Sequence, residues 1–202
     1  MISTIFMDFG GVLAEDGFRT GLLAIAEQHG YDPEWFQRTA VETIYNCGYV
    51  DGLCEEDVFW ELLRKNTSHS LEEHYLRRLF VSGYELWPKM FECIKKIKTF
   101  GYKIILISDH TNWLDEINTK NAFFHLFGKV YNSYHIHQSK RDGNLFKHVL
   151  SDLKVCPENV LLIDDNAGNI KRAKLLGINV YQFTNTDSFI KDLMPVLSPN
   201  NK

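Results

Sequence analysis

Asp8, Ser108, Asp109, Lys140, Asp164 and Asp165 are the residues whose types and positions point to chemistry. Asp8 closes the apolar run Ile5-Phe6-Met7, and Gly10 and Gly11 follow it almost at once. A carboxylate at the carboxyl end of a buried strand, with a glycine loop able to bring backbone N–H groups close to a ligand, suits nucleophilic attack on an anionic centre. Alone, Asp-x-Gly-Gly also makes an ordinary turn. The pattern returns, however: Ile104-Ile105-Leu106-Ile107 runs into Ser108 and Asp109, and Val160-Leu161-Leu162-Ile163 runs into Asp164 and Asp165. If these strand ends meet, three carboxylates face one small volume. That is costly without a cation, so an oxygen-liganded Mg²⁺ is implied. A hard cation beside a carboxylate nucleophile is the equipment of phosphoryl transfer through an aspartyl-phosphate. Lys140 is placed to offset the charge of nucleophile plus phosphate, and the Ser108 hydroxyl to donate to a phosphate oxygen.

The elements that must position these groups are legible as alternating patterns. Strand-like runs occur at residues 3–8, 102–107, 128–132, 160–164 and 178–183. The first, second and fourth are apolar on both faces, as strands covered by helices on each side should be. Between them, Pro88 fits the first position of a helix that Gly101 stops, Leu145, Phe146, Val149, Leu150 and Leu153 form one stripe, and a helix from about Gly168 ends at Gly177. Strands alternating with helices predict an α/β fold built on a doubly wound parallel sheet, Rossmann-like in architecture. Its ligands sit beyond the carboxyl ends of the strands. Residues 15–86 break the alternation with helices only: a run ending at Gly30, an Asp32-Pro33 start, a third helix carrying Phe59, Leu62 and Leu63, and a capping box at Ser70-Leu71-Glu72-Glu73. The expected organisation is therefore a core of residues 1–14 and 87–202 with an all-helical insert over 15–86. The tail 198–202 reads as disordered.

These residues resemble the haloacid dehalogenase-like hydrolase superfamily over almost the whole chain. Asp8-Phe9-Gly10-Gly11-Val12-Leu13 is similar to its first motif, Leu106-Ile107-Ser108-Asp109 to its second, Lys140-Arg141-Asp142 to its lysine-bearing third, and Ile163-Asp164-Asp165-Asn166, with Asn169 and Ala173, to its acidic fourth. The resemblance implies Asp8, Ser108 and Lys140 as catalytic residues. It implies Gly10, Gly11, Ser108 and Asp109 around the substrate, and a Mg²⁺ site at Asp8, Gly10, Asp165 and Asp164, with Asp165 the expected direct ligand. The insert matches the family's small helical cap, which closes over the site. One departure matters: most phosphatases of the family carry Asp two residues after the nucleophile as general acid, and here that position is Gly10. The same pattern occurs in a subgroup resembling bacterial sugar phosphatases, including alpha-D-glucose-1-phosphate phosphatase. General acid catalysis typically contributes ~10²–10⁴-fold. Gly10 therefore predicts a slower enzyme, one favouring good leaving groups, or one recruiting another acid. Glu15 and Asp16 are the candidates, although an exposed loop position is the ordinary reading of both.

The expected function is a Mg²⁺-dependent phosphatase of a small phosphorylated metabolite, foremost a sugar phosphate. A 2-haloacid dehalogenase, whose aspartate attacks carbon without metal, shares the missing second Asp but has no use for the Asp164-Asp165 pair. A non-catalytic relative that binds a partner would be favoured by loss of the nucleophile or lysine, and neither is lost. Composition sets outer bounds. The 202 residues, 45% hydrophobic and 24% charged, are those of an ordinary globular protein with room for one core and an insert. A net charge of −4 gives no reason to expect nucleic acid or an anionic membrane as partner. No apolar run reaches the ~20 residues of a membrane span, and the start lacks a signal-peptide pattern. The four cysteines lack CxxC spacing and read as reduced thiols of a cytoplasmic protein. Plainer roles stand beside the sharp ones. Asp164 and Asp165 also suit helix caps, Asn169 a helix face, His110 a loop, and Arg19, Tyr45 and Tyr49 packing or surface positions.

Overall fold

A computed structural model describes residues 1–67 and 72–199. The chain opens with strand β1 (Thr4–Met7) and then runs through four helices, α1 (Gly17–His29), α2 (Pro33–Asn46), α3 (Glu56–Thr67) and α4 (Glu73–Ser82). From there strands and helices alternate: α5 (Pro88–Thr99), β2 (Lys103–Ser108), α6 (Trp113–Asn121), β3 (Lys129–Asn132), the short α7 (Ser133–Ile136), α8 (Asn144–Leu153), β4 (Val160–Asp164), α9 (Ala167–Leu175) and β5 (Asn179–Gln182). Short helical turns follow over residues 186–197.

The five strands form one parallel sheet in the order β3-β2-β1-β4-β5 and fall on the five apolar runs of the sequence. The chain builds outward from β1 through β2 to β3, then crosses back to lay β4 on the other side of β1. Strand order thus reverses between β1 and β4, where a ligand crevice opens in such sheets. The register pairs Met7 with Leu106 on one side and Ile163 on the other, so Asp8, Ser108 and Asp164 leave the sheet along one edge. Alternation along β1 sends Ile5 and Met7 to one core, and Phe6 to a second core with Leu145, Phe146 and Val149 of α8 and Ile170 and Ala173 of α9.

The helical insert begins and ends side by side. The Glu15 N–H donates to the Glu85 carbonyl at 2.9 Å, and the Trp87 N–H to the Leu13 carbonyl at 2.8 Å. Local chemistry sets the helix ends: Asp32 caps α2 by accepting from the Trp35 N–H at 2.7 Å, with Pro33 next, and Gly30 closes α1 at φ +69°. Helices α1 and α4 pack closely because Gly21 carries no side chain; a Cβ there would lie 2.3 Å from Phe80 Cδ1. Phe80 and Trp60 stack on each other, Trp60 also stacks on Trp113 of α6, and Phe80 meets Trp113 at a tilt, which ties the insert to the sheet-bearing part. The expected capping box at Ser70 lies largely outside the described residues, as does the tail beyond residue 199. Glu72 precedes α4 without a side-chain cap bond. Among the described residues, no helix is long and apolar enough to cross a membrane.

Candidate active site

Lys140 is the hub of the site. Its ammonium, on a side chain only 2% exposed, lies 2.7 Å from Asp8 Oδ2 and 2.8 Å from Asp164 Oδ2. Burial opposes this charge, but the carboxylates of Asp164, Asp8 and Asp109 outweigh it and hold the ammonium more firmly protonated than a free lysine. Asp8 is oriented from its other oxygen, where Oδ1 accepts from the Phe9 N–H at 2.7 Å. Burial pushes the Asp8 carboxyl well above the usual range. Lys140 opposes that shift, and Asp164 and Asp165 add to it.

The lysine is held from both ends of its chain. Its backbone N–H donates to Asp109 Oδ1 at 2.7 Å, and its carbonyl accepts from Arg172 Nε at 2.7 Å. Asp164 is fully buried, with Oδ1 accepting from the Asn166 N–H at 2.9 Å and both oxygens 3.1 Å from Asn169 Nδ2. The amide of Asn169 faces this way because its own Oδ1 accepts from Arg172 at 2.7 Å. Asn169 is thus more than a helix-face residue. Arg172, one turn further along α9, is a positioning residue the sequence did not reveal; its only signal is the i, i+3 spacing from Asn169. The helix-cap role open to Asp164 and Asp165 belongs instead to Asn166, whose Oδ1 accepts from the N–H groups of Gly168 and Asn169 at 2.8 and 3.1 Å.

Asp165 differs from its neighbour. It is exposed toward the cavity, and among the described residues it has no ion-pair partner. Gly11, at φ +74°, makes room for it. One oxygen from each of Asp8, Asp164 and Asp165 lies within 4.8 Å of the others. Three carboxylates against one lysine leave surplus negative charge on hard oxygen donors, and that set fits a small divalent cation.

The cavity in front of these groups measures about 550 Å³ and is walled by Asp8, Gly10, Asp16, Ser108, Lys140 and Asp165, with Tyr45 and Arg19 from the helical insert. Tyr45 reaches Asp109 Oδ2 at 3.4 Å and carries the Arg141 guanidinium 4.7 Å above its ring. Asp109, pushed up to about 6 mainly by burial, therefore braces the Lys140 loop while lining the cavity. The N–H of Gly11 is committed to the Ala14 carbonyl at 2.8 Å. Tyr49 packs, its hydroxyl donating to Asn112 Oδ1 at 2.6 Å. His110 is buried, and Arg19 is exposed at the cavity wall. Glu15 is exposed as expected, whereas Asp16 is half-buried, caps α1 and lines the cavity.

A family model described as haloacid dehalogenase-like hydrolase matches residues 2–177. Among curated proteins, flavin mononucleotide hydrolase 1 of Arabidopsis thaliana is 26% identical over 118 residues, 58% of this chain and 48% of that protein. The chain spans about half or less of the length of the curated relatives it matches. Among solved structures, a HAD family enzyme from Bacteroides thetaiotaomicron, in complex with magnesium and inorganic phosphate, superposes with a TM-score of 0.72 at 24% identity, covering 91% of this chain and 95% of that one. An L-2-haloacid dehalogenase from Xanthobacter autotrophicus gives 0.67 at 15% identity, covering 100% and 86%. These two likenesses are likenesses of fold.

Proposed function

Because the chain belongs to the haloacid dehalogenase-like hydrolase family, we propose that it is a Mg²⁺-dependent phosphatase that hydrolyses a small phosphorylated metabolite, such as a sugar phosphate, through an aspartyl-phosphate on Asp8. The observation that carries this reading is the pairing of Asp8 with Lys140 at 2.7 Å in a cavity that also holds the Asp165 carboxylate, which has no ion-pair partner among the described residues. A nucleophile paired with a buried lysine, beside a spare hard ligand, is equipment for an anionic substrate.

In this mechanism the Asp8 carboxylate attacks phosphorus and the ester oxygen departs; water then attacks the aspartyl-phosphate and releases phosphate. Lys140 neutralises charge on nucleophile and phosphate, held in place by Asp164, which Asn169 holds in turn. Ser108 donates its hydroxyl to a phosphate oxygen, together with a backbone N–H at Gly10. Mg²⁺, when held by Asp8, Asp165 and the carbonyl of Gly10 with Asp164 beside them, supplies electrostatic stabilisation of the transferring phosphoryl group. Residues 15–86 serve as the cap, with Tyr45 lying over the Asp109 end of the cavity.

Gly10 favours one rival, a haloacid dehalogenase, which likewise dispenses with a carboxylate at that position. The two separate cleanly in an assay of phosphate release from a panel of phosphorylated metabolites, and of chloride release from 2-chloropropionate, each with Mg²⁺ and with EDTA. The phosphatase reading expects phosphate release that EDTA abolishes. Chloride release indifferent to EDTA would replace it with the dehalogenase.

A further inference from the structure

The position that lacks a carboxylate lies beside the backbone of a residue that carries one. A Cβ built on Gly10 would be 3.6 Å from Tyr84 Cε1 and 3.9 Å from the Cα of Asp16, with nothing closer. Residue 10 therefore faces the backbone of Asp16 past the Tyr84 ring, and Asp16 lines the same cavity as Asp8, Ser108 and Lys140. The chain returns there because Gly11 and Ala14 close a tight turn, the Gly11 N–H donating to Ala14 at 2.8 Å, and α1 then starts with Asp16 as its cap. We infer that Asp16 is the proton donor and acceptor of the reaction, supplied from the first turn of the cap helix in place of the residue missing at Gly10. This inference rests on the phosphatase reading above.

The neighbouring groups narrow the choice to Asp16. Glu15 is exposed and its Oε1 accepts from Trp87 Nε1 at 3.3 Å. His110 Nδ1 lies 3.2 Å from the Thr111 carbonyl, which only accepts, so the ring proton sits on Nδ1 and Nε2 has none to give. Burial lowers the His110 pKa to about 4, so the ring stays neutral near pH 7. The hydroxyl of the half-buried Tyr84 is held well above its usual range by desolvation, and is a weaker acid still. The Asp16 carboxyl is raised chiefly by burial, against the Arg19 N–H that binds its Oδ1 at 3.1 Å, and this shift is in the direction a general acid needs.

The steps balance. As the Asp8 oxygen bonds to phosphorus and the ester P–O bond breaks, the Asp16 carboxyl gives its proton to the departing oxygen, releasing an alcohol. As water attacks the aspartyl-phosphate, the Asp16 carboxylate takes a proton from it; the Asp8–phosphorus bond breaks, and phosphate and the starting protonation states are restored.

The test is kcat/KM over phosphate esters from p-nitrophenyl phosphate to a primary alkyl phosphate, in the full-length protein with Mg²⁺. Asn is as good a helix cap as Asp, so Asp16→Asn keeps α1 in place, and Asp16→Ser repeats the test with another capping side chain. Wild type should depend only weakly on the leaving group. Both variants should lose the alkyl phosphate by ~10²–10⁴-fold and p-nitrophenyl phosphate by less than tenfold. Both should also release a burst of nitrophenol as the phosphorylated protein accumulates. Equal losses on both esters, no loss on the alkyl ester, or a steep dependence already in the wild type would overturn the role of Asp16. Failure of the wild type on every ester is a different pattern: it would remove the phosphatase reading, and Asp16 with it.

Discussion

The Asp165 carboxylate occupies space that a side chain on Gly11 would need: a Cβ there would lie 2.5 Å from Asp165 Oδ2. Gly11 also sits at φ +74°, where an L side chain costs roughly 1–2 kcal/mol. Gly11→Ala should therefore cost stability of that order and push Asp165 aside. The informative measurement is the Mg²⁺ concentration giving half-maximal phosphatase rate, expected to rise ~10–100-fold, as when a ligand's support is disturbed. An unchanged requirement would detach Asp165 from the metal.

Asp8→Asn removes the proposed nucleophile with almost no change of shape. Phosphatase kcat should fall by at least ~10⁴-fold, the scale of losing a covalent nucleophile, while the thermal unfolding temperature holds or rises, since one buried acid is gone. A variant that retains more than a trace of activity would show that another group attacks phosphorus.

Lys140→Met leaves Asp8 and Asp164 buried without their shared cation. Breaking a buried pair in this way costs about 3–5 kcal/mol, readable in urea unfolding. The sign with pH follows from linkage. Without the lysine, the Asp8 carboxyl, already raised by burial, loses the cation that opposed the shift, so the folded variant binds more protons than the unfolded chain. Its deficit against wild type should then be largest near pH 8 and shrink toward pH 5. A pH-independent deficit would mean that the lysine serves packing alone.

Asp164 and Asp165 are adjacent in sequence and differ in setting, one buried and the other exposed. Asp165→Asn should abolish the Mg²⁺-dependent rise in rate and leave stability near wild type, because its carboxylate has no ion-pair partner among the described residues. Asp164→Asn should lower stability instead, since Asp164 is fully buried against Lys140 at 2.8 Å and Asn169 at 3.1 Å. Mg²⁺ titrations followed by calorimetry, beside thermal melts of both variants, resolve the two. Matching losses in both measurements would contradict the division.

These contrasts mark where the sequence was readable. Asp8, Ser108 and Asp164 stand out because each ends an apolar run, and a parallel sheet brings such ends to one edge. The three central strands were visible because they are apolar on both faces, and β3 and β5 from their place in the strand–helix alternation. Lys140 was placed by motif order, since nothing in the residue itself separates it from Arg141 or Lys147. Asn169 and Arg172 were obscure because their contacts run between elements, and a polar pair three residues apart on a helix looks like a solvated face. Asp16 was legible only as one of two candidate acids, beside Glu15. Its approach to Gly10 depends on how the loop over residues 9–16 folds back, which no local pattern encodes.

The vacancy at Gly10 can be filled deliberately. Gly10 does not adopt positive φ, and a Cβ there meets Tyr84 at an ordinary 3.6 Å. A carboxylate on this position points into the volume where Asp16 is proposed to work. In the Asp16→Asn background, Gly10→Asp should therefore recover at least tenfold of the lost kcat/KM on an alkyl phosphate, and leave p-nitrophenyl phosphate nearly unaffected, because a good leaving group needs no proton. In the wild-type background the same change adds a second acid beside the first and should gain little. Rescue confined to the Asp16→Asn background would show that the two positions serve one proton. Equal gains in both backgrounds would mean that residue 10 and Asp16 act independently. No gain in either would indicate that the departing oxygen lies out of reach of residue 10.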